Sequence, residues 1–345
     1  MIPSDFGPSG QDRIGDGVAV VIPCYQVAGS ITEVLEAIGP SVARIFCVDD
    51  ASTDGTGSLI ERAAVADERI VLLKRMQNGG VGAATIDGYQ AALAAGARVV
   101  VKLDGDGQMD PGLIPLLCRP ILESEADYVK GNRFYSRESL DQMPRMRIWG
   151  NAGLSFFSKA STGYWNLFDP NNGFTAIHAD VAAALPFDRL HKRYFFESDI
   201  VFRLGILRAR VVEIPMDSVY GDEESHLSLV DSALRFPLLH GSNFLKRVFY
   251  NYFLRNFSIA TINLLVGILF LVGGALFGAW KWAESIRTGV PATAGSVMLS
   301  ALPVLVGTQL ILSFLAYDMA LVPDRAVHRY LRRAAGRPNP VTKAD

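Results

Sequence analysis

Cysteine is scarce in this chain. The three cysteines among 345 residues, Cys24, Cys47 and Cys118, stand singly with no CxxC between them. That excludes a disulfide framework and a cysteine-rich zinc site. Histidine is scarce too, and His178, His191, His240 and His328 show no metal-ligand spacing. Neither sign of charge dominates: Lys+Arg 33 against Asp+Glu 35 leaves −2. A dedicated nucleic-acid binder would carry a basic footprint, which is absent. Charged residues make up only 20% of the chain and hydrophobic ones 50%. Disorder, which needs low hydrophobicity and high net charge, is therefore excluded. The length suggests one large domain or two ordinary ones.

The hydrophobic excess is concentrated in two stretches. Between Arg255 and Lys281 lie 25 residues without a charge, and between Arg287 and Asp318 lie 30 more. A helix of 25 residues is about 37 Å long, enough to cross a hydrocarbon core of about 30 Å. Buried helices of soluble proteins rarely run so far without charge, and Gly267, Gly273, Gly274 and Gly278 suit a membrane helix. Lys246, Arg247 and Arg255 precede the first span, and Arg325, Arg329, Arg332, Arg333 and Arg337 follow the second. The connecting loop holds only Lys281 and Arg287. Positive flanks belong on the cytoplasmic side, so the N-terminal region and the tail are expected there, joined by a short outside hairpin. The N-terminus shows no basic-then-apolar signal segment. The sequence thus predicts an integral membrane protein with both termini cytoplasmic, in a bacterial inner membrane.

The N-terminal part alternates strand and helix. VAVVI from Val18, RIFCV ending at Val48, IVLLK from Ile70, VVVKL from Val99 and DYVKG near Val129 are apolar runs that suit strands buried on both faces. Ser30 and Glu33 have capping-box spacing. Asp54 suits the N-cap of a helix through Ala66, Val81 to Ala95 reads as helix, and Pro111 opens another at its favoured first position. Such alternation implies an α/β fold with an open, largely parallel sheet. Ligands bind such sheets at the carboxyl ends of the strands, and each polar motif falls at one of those ends.

After the second strand comes VDDASTDGT, with Asp49 and Asp50 where the strand stops. One of them can accept hydrogen bonds from a nucleobase or ribose, or the pair forms an acidic turn capping the next helix. After the third comes QNGGVGAA, whose Gly79, Gly80 and Gly82 either aim backbone N–H groups at a phosphate or make a tight turn with close helix packing. No GKS/T follows, so it is not a P-loop. After the fourth comes DGDGQMDP. Asp104 and Asp106 alternate around Gly105, so both can face one hard cation, and Gln108 adds a neutral oxygen. Oxygen ligands suit Mg²⁺ or Mn²⁺. An EF-hand is excluded because Pro115 stands where its bidentate Glu belongs.

The ordered set VVIPCYQV, VDDASTDGT, QNGGVGAA, DGDGQMDP and KGNRF resembles glycosyltransferase family two, and within it the polyprenyl-phosphate sugar transferases of the dolichyl-phosphate mannose synthase type. The resemblance covers roughly residues 17–220. It implies a GT-A fold, with Pro23, Tyr25, Asp50 and Asp104 lining the donor pocket beside Gly80. It implies Asp104, Asp106 and Gln108 at the metal and diphosphate, Arg133 at a phosphate, and Asp169 near the sugar and acceptor. Gln26 and Val27 depart from the Asn-Glu usual in the family. Glu197 and Asp199 form a further acidic pair on an apolar element. Tyr220, Glu224, Ser225 and His226 fall where relatives carry a loop near the acceptor phosphate, and Lys246 and Arg247 could also meet that phosphate or anionic headgroups.

The expected organisation is a flexible lead-in over 1–16, a GT-A catalytic domain over 17–228, an interfacial amphipathic segment over 229–256 broken near Pro237, two transmembrane helices over 257–322, and a basic cytoplasmic tail over 323–345. The expected enzyme is an inverting transferase that moves a sugar from a UDP- or GDP-sugar to polyprenyl phosphate (undecaprenyl or dolichyl). Asp106, Asp169 and Arg133 are its catalytic candidates, and Arg133, Ser225, Lys246 and Arg247 its candidates for the acceptor phosphate. Membrane lipid is a further partner, nucleic acid is not, and the glycine-rich spans permit a homo-oligomer. The alternatives are a different lipid acceptor and a non-catalytic membrane adaptor. A processive polysaccharide synthase would carry QxxRW, and here QMPRM stands at Gln142. A nucleotidyltransferase would release pyrophosphate instead of nucleoside diphosphate.

Overall fold

The computed structural model describes residues 17–135, 145–169, 172–216 and 229–334. It divides into two compact units, one of residues 1–241 with 323–345 and one of residues 242–322. The first unit is built on a seven-stranded sheet of order β3-β2-β1-β4-β6-β5-β7. Its strands are β1 (Val18–Cys24), β2 (Arg44–Asp49), β3 (Ile70–Lys74), β4 (Val99–Lys102), β5 (Tyr128–Asn132), β6 (Thr175–His178) and β7 (Val211–Pro215). The first five are the apolar runs of the sequence. β1, β4 and β5 are buried at every position, as continuous hydrophobic strands covered on both faces must be. The sheet is mixed, because β6 runs antiparallel to both β4 and β5. The chain reaches β6 from the carboxyl end of the sheet, so the residues that lead into it lie beside the ends of β4 and β5. β1 pairs β2 on one side and β4 on the other. Strand order therefore reverses at β1, the place where open α/β sheets form a crevice.

Helices α1 (Ile31–Ala37), α2 (Thr56–Ala66), α3 (Val81–Ala94) and α4 (Ile114–Leu122) connect the parallel strands. The Ser30–Glu33 capping box does not form: Ser30 Oγ turns away and donates to Gly105 O at 2.7 Å. Asp54 sits just ahead of α2, where its Oδ1 accepts from Thr56 N at 3.1 Å and Thr56 Oγ1 at 2.7 Å. Beyond β5 come α5 (Arg145–Thr162), α6 (Ala179–Ala183), α7 (Phe196–Leu207) and α8 (Leu229–Val248). α8 is continuous through Pro237. The expected break is absent because proline removes one backbone donor, and the neighbouring turns of a twenty-residue helix keep theirs.

A short helix, α11 (His328–Ala334), follows the second apolar stretch and belongs to the first unit. Asp127, fully buried ahead of β5, accepts from Val327 N at 2.8 Å, His328 N at 2.9 Å and His328 Nδ1 at 2.7 Å, besides Arg210 N at 2.8 Å. The His328 ring stacks on that of His178 with centroids 4.1 Å apart. Burial alone would raise the Asp127 carboxyl, but these donors outweigh it and hold the group below its ordinary range. Part of the tail is thus folded structure.

The second unit holds α9 (Ile259–Thr288) and α10 (Ala294–Ala320), both long and apolar enough to cross a membrane. They are not core helices: Leu269, Leu276, Leu299 and Leu305 are each 66–67% exposed. Where the two helices meet, small residues let the backbones approach. A Cβ at Gly307 would press on Leu271 N and Gly267 O, one at Gly274 would press on Ser300 O, and Ser300 Oγ donates to Gly274 O at 2.9 Å. Gly267, Gly274 and Gly278 are thus used in packing within the chain.

Candidate functional site

The loops after β1, β2, β3 and β4 form one edge. Gln26, in a left-handed conformation (φ 56°), donates from its backbone to Ser52 Oγ at 3.2 Å and from Nε2 to Thr53 Oγ1 at 2.9 Å. Val27 N and Ala28 N donate to Thr56 Oγ1 and Asp54 Oδ2. Of the two departures from Asn-Glu, only the Gln26 side chain bonds the second loop; the bonds at Val27 and Ala28 are made by the backbone. Pro23 is buried at the end of β1, while Tyr25 is 48% exposed beyond it.

Asp50 is buried, and protein donors occupy its carboxylate. Oδ1 stands 2.8 Å from Arg75 Nε and accepts from Gly79 N at 2.9 Å, and Oδ2 accepts from Gly80 N at 2.7 Å. Two separate expectations, Asp50 at a nucleotide and Gly79–Gly80 at a phosphate, meet here as one internal contact. The carboxylate takes the anion position that the glycine N–H groups offer. Gly80 needs its φ of 91°, and a Cβ there would strike Lys192 O. Arg75 also pairs with Asp87.

At the end of β4, Asp106 Oδ1 accepts from Gln108 N at 3.0 Å. Asp104 is partly exposed, and its Oδ1 meets Lys102 Nζ at 2.6 Å. A side chain on Gly173 would strike Asp104 Oδ2, so this glycine makes room for the carboxylate. Among the described residues no group of three or more His, Cys, Asp or Glu is placed to hold a metal ion. Two carboxylates and an amide oxygen on one loop make an incomplete oxygen shell. That set fits Mg²⁺ or Mn²⁺, which keep waters and take substrate phosphates as ligands.

At the end of β5, Arg133 grips Asp169 with Nε to Oδ2 at 2.8 Å and Nη2 to Oδ1 at 3.0 Å. Asp169 is buried, while the Arg133 side chain keeps 28% of its surface exposed. Glu213 of β7 supports the strand end, accepting from Phe168 N and Asp169 N at 2.8 Å. Burial raises the Glu213 carboxyl above its ordinary range despite those two donors. Phe134 and Phe168 meet edge to face at 5.8 Å beside this pair.

Beneath the carboxylates lie two fully buried lysines that the motifs did not single out. Lys102 and Lys130 flank Thr175 in register, on β4 and β5 with β6 between them. Lys102 Nζ reaches Asp104, Glu197 Oε1 of α7 at 3.3 Å and Gly173 O at 3.4 Å, and Lys130 Nζ donates to Asn172 O. Burial works against a charge on Lys102, but Asp104 and Glu197 outweigh it and hold its pKa above the ordinary lysine range. Lys130 goes the other way, pushed down to about 8 by burial. The available signal was a lysine inside each of two otherwise apolar strands, VVVKL and YVKG. Asp199 serves the fold: its Oδ2 accepts from His191 N at 3.0 Å.

Arg247 and Lys246 lie in the second unit. Arg247 is buried and bidentate to Asp318, with Nη1–Oδ1 2.6 Å and Nη2–Oδ2 2.9 Å, and Tyr252 Oη donates to the same carboxylate at 2.5 Å. Its expected role at an acceptor phosphate is not supported, because the guanidinium edge that would meet the phosphate holds Asp318. Lys246 is exposed. Ser225, with Tyr220, Glu224, His226 and Gln142, lies outside the described residues.

Residues 19–185 match the model of the family "Glycosyl transferase family 2". An undecaprenyl-phosphate mannosyltransferase from Micrococcus luteus is 32% identical over 205 residues, which cover 59% of this chain and 83% of that protein. The chain belongs to glycosyltransferase family 2. A second member, a UDP-N-acetylglucosamine–dolichyl-phosphate N-acetylglucosaminyltransferase from Methanococcus voltae, is 27% identical over 216 residues, covering 59% of this chain and 86% of the other. The fold is shared with the crystal structure of mannosyl-3-phosphoglycerate synthase from Rubrobacter xylanophilus. That match has a TM-score of 0.51 and 19% identity over 73% of this chain and 82% of the other. This family-2 glycosyltransferase thus has a GT-A sheet core followed by two candidate membrane helices.

Proposed function

We propose that the protein transfers a sugar from a nucleoside diphosphate donor, UDP- or GDP-linked, to a polyprenyl phosphate. One observation carries the reading: a diphosphate-type carboxylate site at the end of β4 belongs to the same chain as an apolar helical hairpin. The two relatives, whose names specify undecaprenyl and dolichyl phosphate, support the acceptor class. Asp104, Asp106 and Gln108 would hold Mg²⁺ or Mn²⁺, which when bound neutralises charge on a diphosphate leaving group.

The residues of the chain supply the rest. Tyr25 and the loops after β1 and β2 bound the donor pocket. A phosphate monoester has a second pKa of about 6, so the acceptor is mostly dianionic at neutral pH and needs little help from a base. Its oxygen forms the new bond to the anomeric carbon while the bond from that carbon to the diphosphate breaks, and the electron pair leaves on the diphosphate. Arg133 offsets the acceptor's charge, and Asp169 fixes the guanidinium plane. Direct displacement inverts the anomeric configuration. The basic flanks favour a cytoplasmic catalytic unit. The bonds from Val327 and His328 to Asp127 support a tail on the same side, since the chain after the hairpin then folds with the sheet that precedes it. Lys246 suits an anionic headgroup.

The test is a panel of labelled UDP- and GDP-sugars offered with polyprenyl phosphate and, separately, with diacylglycerol. An inverted, labelled prenyl phosphate product is expected. A product on diacylglycerol alone, or a retained configuration by NMR, overturns the acceptor or the displacement.

A further inference from the structure

Lys102 is an unusual residue for its position. It ends a strand buried at every residue, its side chain is 1% exposed, and an ammonium in such a place needs partners that compensate its lost hydration. It has three, and each comes from a different element. Asp104 Oδ1 lies 2.6 Å away on the loop after β4, Glu197 Oε1 3.3 Å away on α7, and Gly173 O 3.4 Å away on the segment entering β6. A Cβ on Gly173 would come within 2.7 Å of Nζ as well as striking Asp104, so the contact depends on glycine at that point. This cation touches one of the two carboxylates proposed to hold the metal, and the proposed transfer step does not use it.

We propose that Lys102 is a positioning residue that makes divalent-metal binding at Asp104 and Asp106 conditional on a bound nucleoside diphosphate. This rests on the proposed donor and metal reading of the same site. A buried positive charge in contact with Asp104 opposes a second cation placed on that carboxylate. The repulsion inside a protein is several-fold stronger than in water. A diphosphate brings negative charge of its own, which restores the balance and supplies the missing oxygen ligands. The empty site therefore does not collect metal, and metal and donor enter together. Lys102 also fixes the direction of Asp104, because Glu197 and Gly173 O hold the ammonium from two other sides.

Manganese binding, followed by electron paramagnetic resonance of the free ion, tests this on the full-length protein in detergent without any turnover. Titrations are made with Mn²⁺ alone and with Mn²⁺ plus saturating UDP or GDP, whichever gives the stronger binding. In the wild type, the nucleotide is expected to tighten Mn²⁺ binding at least about tenfold. In Lys102→Met, Mn²⁺ alone is expected to bind at least about tenfold tighter than in the wild type, so most of the dependence on nucleotide disappears. A merely structural lysine would weaken both titrations. Glu197→Gln provides the second variant, since it leaves Lys102 less compensated and is expected to weaken Mn²⁺ binding without nucleotide. Unchanged or weaker nucleotide-free binding in a folded Lys102→Met protein overturns the proposal. If Lys102→Met does not fold, Glu197→Gln decides: unchanged or tighter binding overturns it. No Mn²⁺ bound by the wild type even with nucleotide overturns the metal reading itself, and the inference with it.

Discussion

The two units both bury charge, and they do it differently. In the unit of the two candidate membrane helices, Arg247 and Asp318 close on each other with two hydrogen bonds, at 3% and 2% side-chain exposure, and Tyr252 adds a third donor. In the catalytic unit Lys102 is equally buried, but its partner Asp104 keeps 28% of its side chain exposed, and Arg133 keeps the same share while gripping a buried Asp169. One arrangement is closed and the other is partly open to solvent. A closed pair fixes geometry, whereas a half-open pair stores charge that a substrate can meet. The open pairs sit at the ends of β4 and β5, on either side of the antiparallel β6, so the topology of the sheet brings them to one edge.

The largest expected effect breaks the open side. Asp106→Asn should lower transfer roughly 10³-fold or more while the thermal unfolding midpoint stays within a few degrees, because a charge that faces a ligand contributes little to folding. Equal losses of activity and stability would mean that Asp106 is structural. The closed side should answer in stability instead. Arg247→Met leaves Asp318 buried without its ion partner and should cost about 3–5 kcal/mol, whereas Arg247→Met with Asp318→Leu should recover most of it. Denaturant titration in detergent reads both, and a double variant no better than the single one contradicts the pairing.

A smaller effect concerns acid. His240 of α8 is buried, its Nδ1 is 2.8 Å from Ser161 Oγ, and burial lowers its pKa to about 4. The unfolded chain takes up this proton near pH 6.5 and the folded one only near 4. Stability from this site is therefore complete above about 6.5, falls through the window down to 4, and drops by about 3 kcal/mol. His240→Gln should flatten that part of the stability profile, and an unchanged slope would show that His240 does not set it. The smallest effect is expected at Ser300→Ala, which deletes the bond to Gly274 O and should cost about 0.6 kcal/mol. A cost above about 2 kcal/mol would show that this hydroxyl does more than join the two helices.

Much of this contrast was legible in the sequence. Long apolar strands announce themselves by β-branched runs, and VAVVI, RIFCV, IVLLK, VVVKL and DYVKG all became strands. The acidic and glycine motifs follow their ends, and the parallel pairing of β1 through β4 gathers those ends along one edge. β6 and β7 were harder: TAIH is four residues with no alternation to read, and its antiparallel direction is set by its partners, not by its own residues. The buried lysines were hidden for the opposite reason, since a single charge in an apolar run reads as a strand end. One local rule failed where a tertiary contact outweighed it, since Ser30 bonds Gly105 O and not its own helix, and of the two readings open for the glycines the fold shows their N–H groups on Asp50. The basic tail conceals a folded segment, because the partner of His328 is Asp127, 201 residues away.

If the proposed function is right, the carboxylates after β4 drive sugar transfer to a lipid phosphate. Its most direct test is a single-turnover measurement in lipid nanodiscs containing polyprenyl phosphate, with a labelled nucleotide sugar and Mn²⁺ or Mg²⁺, comparing the wild type with Asp106→Asn. A labelled prenyl phosphate sugar is expected from the wild type and essentially none from a folded Asp106→Asn protein. Equal product from both, or no lipid product from the wild type with any UDP- or GDP-sugar, would contradict the proposed function.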